Sequence, residues 1–102
     1  MAAYLVAQMQ VNDPNMYRDY ASKVGPTIAP YGGRILSAND AEVREGNPPY
    51  ARTVIAEFPS LDAARAWYAS DVYEAVLPLR LQSTIGTLVM VEGFLLPPAT
   101  DH

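Results

Sequence analysis

The chain has 102 residues, half of them hydrophobic and only 18% charged, with no cysteine, a single histidine and a net charge of −4. That length suits one domain burying roughly two-thirds of its unfolded surface, and without cysteine there are no disulfides or thiolate metal sites. Seven Lys and Arg scattered among eleven Asp and Glu make no basic face for a phosphate backbone, so nucleic acid is excluded as a partner.

Ala3 to Val11 alternates, with Leu5, Ala7, Met9 and Val11 on one side and Tyr4, Val6, Gln8 and Gln10 on the other, the period of a strand. Met1 begins a short strand-like run, so no leader is expected, and no run approaches the roughly 20 apolar residues of a membrane helix. The cytoplasm is the expected location. Asp13-Pro14 reads as an N-cap followed by a first-turn proline. Tyr17, Tyr20, Ala21, Val24 and Ile28 follow at helical spacing. Gly25-Pro26 predicts a kink or a restart, and Tyr31-Gly32-Gly33 predicts a left-handed cap.

Arg34 to Ala38 reads as the second strand, with a turn or bulge at Asn39-Asp40 and a possible continuation over Glu42 to Glu45. Gly46-Asn47-Pro48-Pro49 is a turn cluster, and Arg52 to Phe58 is the third strand, completing a hairpin. Ser60 caps the next helical stripe, which is Leu61, Ala64, Trp67 and Tyr68. A second capping point at Ser70-Asp71, with Glu74 beyond it, divides this helix or interrupts it. Val72, Ala75, Val76 and Leu79 continue the stripe, and Pro78 falls near its expected end. Thr87 to Leu95 is the last strand.

The order is strand, helix, strand, strand, helix, strand. Two strand–helix–strand halves give an α+β domain of the ferredoxin-like βαββαβ kind, a four-stranded antiparallel sheet with two helices on one face. One domain is expected over residues 1–96, with a tail over 97–102 behind Pro97-Pro98. Both sheet faces carry apolar residues: Val89 and Val91 lie opposite Leu88 and Met90, and Tyr4 and Val6 opposite Leu5 and Ala7. Helices cover only one face, so a second copy packed on the open face is the expected partner.

The strings Tyr31-Gly32-Gly33-Arg34, Glu45-Gly46, Glu57-Phe58-Pro59-Ser60, Ala66-Trp67-Tyr68, Ser70-Asp71-Val72-Tyr73, Pro78-Leu79-Arg80 and Val91-Glu92-Gly93 resemble the domain-of-unknown-function family thirteen-thirty. The resemblance covers nearly the whole chain. It implies a dimeric α+β barrel, two subunits packed sheet to sheet with helices outside. That superfamily holds cofactor-free monooxygenases, lactone isomerases, haem peroxidases and plain ligand binders, so fold does not choose function.

The one histidine is His102, the final residue, which leaves no Ser-His or Cys-His pair and no histidine-based metal or haem ligation. No metal and no cofactor is expected. Gly32-Gly33 follows a helix and does not open one, so it is no phosphate loop. Chemistry falls to carboxylate, tyrosine and arginine. Glu57, sharing strand parity with Thr53 and Ile55, is the candidate general base if apolar neighbours raise its pKa; otherwise it faces solvent or pairs with an arginine. Arg80 is either an anion clamp or an anchor to an internal glutamate such as Glu57, and Arg34 has the same two readings. Six rings on the helices exceed the needs of a small core. Tyr17, Trp67, Tyr73 and Arg80 are expected to line a helix–sheet cleft, with Tyr31 a further ring at the end of the first helix. The candidate catalytic set is Glu57, Tyr17 and Arg80, and the candidate binding set is Trp67, Tyr73, Arg34 and Tyr31. The expected function is to bind a small, partly apolar acid, as a cofactor-free monooxygenase or isomerase, as a non-catalytic binder, or else to serve as a structural dimer.

Overall fold

The computed structural model describes residues 1–94. The tail expected over residues 97–102, and His102 with it, lies outside the described residues. Strand β1 is Ala3–Val11, helix α1 Pro14–Ile28, β2 Arg34–Asp40, β3 Arg52–Phe58, α2 Leu61–Tyr68, α3 Asp71–Ser83 and β4 Thr84–Glu92. The strands form one antiparallel sheet in the order β2-β3-β1-β4.

Local chemistry sets most boundaries. The Asp13 carboxylate accepts the Met16 N–H at 3.1 Å, with Pro14 in the first helical turn. Ser60 accepts the Ala63 N–H at 3.0 Å. Ser70 separates α2 from α3: its hydroxyl accepts the Tyr73 N–H at 3.2 Å and donates to the Trp67 carbonyl at 2.6 Å. Gly32, at φ 75°, closes a 3-10 turn over Ala29–Tyr31, a conformation that costs glycine least.

Four expectations need correction. Helix α1 runs unbroken through Gly25-Pro26 to Ile28. A proline removes one backbone donor, but Val24 and Ile28 pack into the core. Thr27 donates to the Val24 carbonyl at 2.6 Å and receives the Trp67 indole N–H at 3.0 Å, so tertiary contacts hold the last turn. Pro78 lies inside α3, which continues to Ser83. Strand β2 keeps pairing through Asp40 and bulges between Ile35 and Ser37 instead, while residues 42–45 leave the sheet. Strand β4 begins at Thr84, three residues earlier than its composition suggests. It pairs residue for residue with β1, from Thr84 opposite Val11 to Glu92 opposite Ala3. The nine-residue partner sets its length. No loop intervenes, because the Ser83 carbonyl accepts the N–H groups of both Asn12 and Asp13, at 2.7 and 3.1 Å.

One sheet face meets the helices. Leu5, Ala7, Met9, Ala56 and Phe58 are buried there against Tyr20, Ile28, Ala64, Trp67 and Tyr73. Strand alternation sends Tyr4, Val6, Ile55, Val89 and Val91 to the other face, where Val89 and Val91 are half exposed. The two apolar faces read from the sequence are therefore present, with only one covered by helices.

Candidate functional site

Between α1, α3 and the sheet lies an apolar chamber of about 160 Å3, walled by Leu5, Ala7, Met9, Val54, Ala56 and Leu88 from the strands. Its polar groups come from Tyr17, Tyr20, Trp67, Arg52 and Arg80. A wider groove of about 670 Å3 shares Met9, Tyr17, Ala21 and Arg52 with the chamber. Pro14 and Arg18 of α1, Asp40 of β2 and Pro49-Tyr50-Ala51 of the β2–β3 loop form its outer walls. The shared residues form the seam between groove and chamber.

Arg80 is 8% exposed, in the last turns of α3. Its carbonyl accepts the Thr84 N–H and hydroxyl, the latter at 2.7 Å, so its backbone is fixed. Its Nε donates to the Tyr73 hydroxyl at 3.3 Å, and the Tyr73 and Tyr20 hydroxyls are 2.9 Å apart. Among the described residues no carboxylate pairs with it. Burial works against its charge, while the oxygens of Tyr73, Tyr20 and Tyr68 favour it. The balance keeps its pKa above the ordinary arginine value, and the guanidinium stays charged. For Tyr20, burial raises the phenol pKa well above the usual tyrosine range, and the neighbouring Tyr73 adds to the effect. Tyr20 is therefore a neutral hydrogen-bonding group at physiological pH.

Of the residues singled out from the sequence, Tyr17, Trp67 and Arg80 meet in the chamber. Tyr73 stands behind it, fully buried, its ring 4.0 Å from that of Trp67 and its hydroxyl on Arg80. Tyr31 packs against the core without lining the chamber. Glu57 and Arg34 are elsewhere. Glu57 is on the open face with Thr53 and Ile55, while Ala56 and Phe58 take the helix face. Its carboxylate holds the Arg34 Nε at 3.1 Å and Nη2 at 3.0 Å. Glu57 thus makes the arginine pair foreseen as its alternative, and strand parity removes both it and Arg34 from the cleft. Arg80 anchors to a tyrosine and not to Glu57.

Arg52 was not singled out, although its parity with Val54, Ala56 and Phe58 already puts a cation on the core side of β3. Its guanidinium carbon lies 5.9 Å from the Tyr17 ring centre, within cation–π range. Its Nε is buried with no hydrogen-bond partner. Among the described residues no three His, Cys, Asp or Glu side chains are grouped to hold a metal, and no helix is long and apolar enough to cross a membrane.

The sheet order, the two-layer packing and the cleft define an α+β protein of ferredoxin-like architecture. Residues 2–94 match the family model of a domain of unknown function, DUF1330, and the chain belongs to that family. Solved structures share the fold. A protein of unknown function from Rhodopseudomonas palustris is 17% identical, covering 92% of this chain and 83% of its own, with a TM-score of 0.74. SnoaB, a cofactor-independent oxygenase from Streptomyces nogalater, is 15% identical over 96% of this chain and 98% of its own, at 0.68. A dimeric ferredoxin-like protein of unknown function from Thermobifida fusca is 18% identical over 90% and 91%, at 0.62. No curated protein matches the chain.

Proposed function

We propose that this protein is a homodimer that binds a small, partly apolar acid in the helix–sheet chamber, with Arg80 holding the acid group. One observation carries this reading: Arg80 is a buried cation lining an apolar chamber, and its protein partner is a tyrosine hydroxyl and not a carboxylate. A buried charge without a counter-ion costs stability, and an anionic ligand supplies what is missing. The dimer rests on the uncovered apolar sheet face and on the dimeric Thermobifida fusca relative. The cytoplasm suits a chain without cysteine.

The test is Arg80→Met. Mass spectrometry of ligands that co-purify with the natural chain should find an organic acid, and the variant should lose it. Calorimetric affinity for that acid should fall by at least about tenfold, the scale of one charge-assisted contact. With both proteins stripped of ligand, the melting temperature of the variant should equal or exceed that of the natural chain, because methionine keeps the aliphatic packing and removes a buried charge. A lower melting temperature with unchanged ligand content would make Arg80 a structural anchor and end the proposal.

Cofactor-free oxygenase or isomerase chemistry in the same chamber is the second reading. The Tyr20–Tyr73–Arg80 hydroxyl chain opening on the chamber favours it, as does SnoaB, which is named a cofactor-independent oxygenase. Here Tyr17 and Tyr20 face the ligand and Arg80 holds its charge. Tyr20→Phe should then slow turnover of the co-purified acid by about tenfold or more while leaving its affinity nearly unchanged. Oxygen uptake and product analysis measure the turnover. Equal turnover in both proteins would remove Tyr20 from the chemistry, and no turnover in either would leave only the binder.

A further inference from the structure

The seven cations of the chain fall into two groups. Lys23, Arg34, Arg44 and Arg65 pair with Asp19, Glu57, Glu42 and Asp62, and exposed Arg18 bonds Asn15. Three have no acidic partner among the described residues: Arg18, which is exposed, and Arg52 and Arg80, which both line the same chamber. In a chain whose acids outnumber its bases eleven to seven, this separation is not a shortage of carboxylates. Asp40, the cross-strand neighbour of Arg52, also lines the outer groove but makes no ion pair with it. Arg18 lines the same groove.

The two arginines are not equivalent. Arg80 lines the chamber alone, whereas Arg52 lines both chamber and groove, at the seam, with its buried Nε unpartnered. Two guanidiniums bordering one low-dielectric space repel each other, and a single carboxylate at Arg80 neutralises only one of them. Resting on the reading of Arg80 above, we infer that the ligand is an acid with two anionic ends joined by an apolar body, the inner end at Arg80 and the outer end at Arg52. The apolar walls of Leu5, Ala7, Val54, Ala56 and Leu88 lie along the body between them. The chamber, at about 160 Å3, takes a body of roughly the bulk of a benzene ring, and the open groove leaves room for the outer acid.

Calorimetry with matched straight-chain acids tests this: adipate against hexanoate, suberate against octanoate, and sebacate against decanoate. At least one dicarboxylate should bind the natural chain about tenfold or more tightly than its monocarboxylate. Arg52→Gln should abolish that preference and leave monocarboxylate affinity within about twofold, while Arg52→Lys should retain part of the preference. Arg80→Met should weaken both classes. Equal binding of every pair to the natural chain, or an Arg52→Gln loss shared equally by mono- and dicarboxylates, would overturn the two-ended ligand while leaving Arg80 as the anion clamp. Binding of neither class would instead overturn the Arg80 reading, and this inference with it.

Discussion

Val89→Asp is expected to turn the proposed dimer into a folded monomer. Val89 is paired with Val6 across the β1–β4 ladder, with Tyr4 and Val91 one pair further on the same face, and it is half exposed in the isolated chain. The substitution therefore touches nothing in the helix-covered core. A symmetric sheet-to-sheet interface brings the same patch from both subunits together, so each protomer would contribute a buried, unpaired carboxylate. Burying an unpaired charge costs several kcal/mol, which corresponds to a dissociation constant raised by at least about a hundredfold. Sedimentation at micromolar concentration should find a monomer with an unchanged far-ultraviolet dichroism spectrum. A dimer of undiminished affinity would mean that the open face is not the interface.

Trp67→Ala should be the most damaging single change to the fold. Trp67 is 2% exposed. Its ring lies 4.0 Å from Tyr73, 5.4 Å from Phe58 and 6.0 Å from Tyr68, and its indole N–H donates to Thr27 at 3.0 Å. It thereby joins α1, α2, α3 and β3. Loss of such a side chain costs about 4 kcal/mol in transfer and cavity terms, against a total stability of roughly 5–15 kcal/mol for a domain. The melting temperature should drop by about 20 °C. Trp67→Phe should lose only about 1 kcal/mol, the value of one hydrogen bond, with some packing adjustment. Denaturant melts of the two variants measure both effects, and a mild Trp67→Ala phenotype would show that the ring cluster does not hold the layers together.

The local chemistry of Asp13, Ser60 and Ser70 was enough to read the helix starts, because each cap is formed within three residues. The bounds of β1 and β3 were legible for the same kind of reason, since alternation is a property of the segment itself. Pro26 and Pro78 misled because a proline's effect on its own helix is small beside the packing around it. The start of β4 depended on a partner strand far away in sequence, since Thr84 pairs with Val11. Of the residues expected to line the cleft, Tyr17, Trp67 and Arg80 border the chamber, whereas Tyr73 stands behind it and Tyr31 outside it. Glu57 and Arg52 show the limit. Both parities were readable in β3, but which parity faced the helices rested on Ala56 and Phe58 being the buried pair. With that face known, the glutamate leaves the cleft and the arginine enters it.

The β2–β3 loop has one further consequence. Residues 41–49 are exposed, yet Pro49, Tyr50 and Ala51 help wall the outer groove. Changing the length of such a loop costs little free energy. Arg80 has no comparable freedom, because α3 runs straight into β4 and two hydroxyls and an amide grip its carbonyl. The entrance can therefore drift under mutation while the inner charge stays where it is. A lineage built on this scaffold can reshape the groove that opens onto the chamber without rebuilding its core.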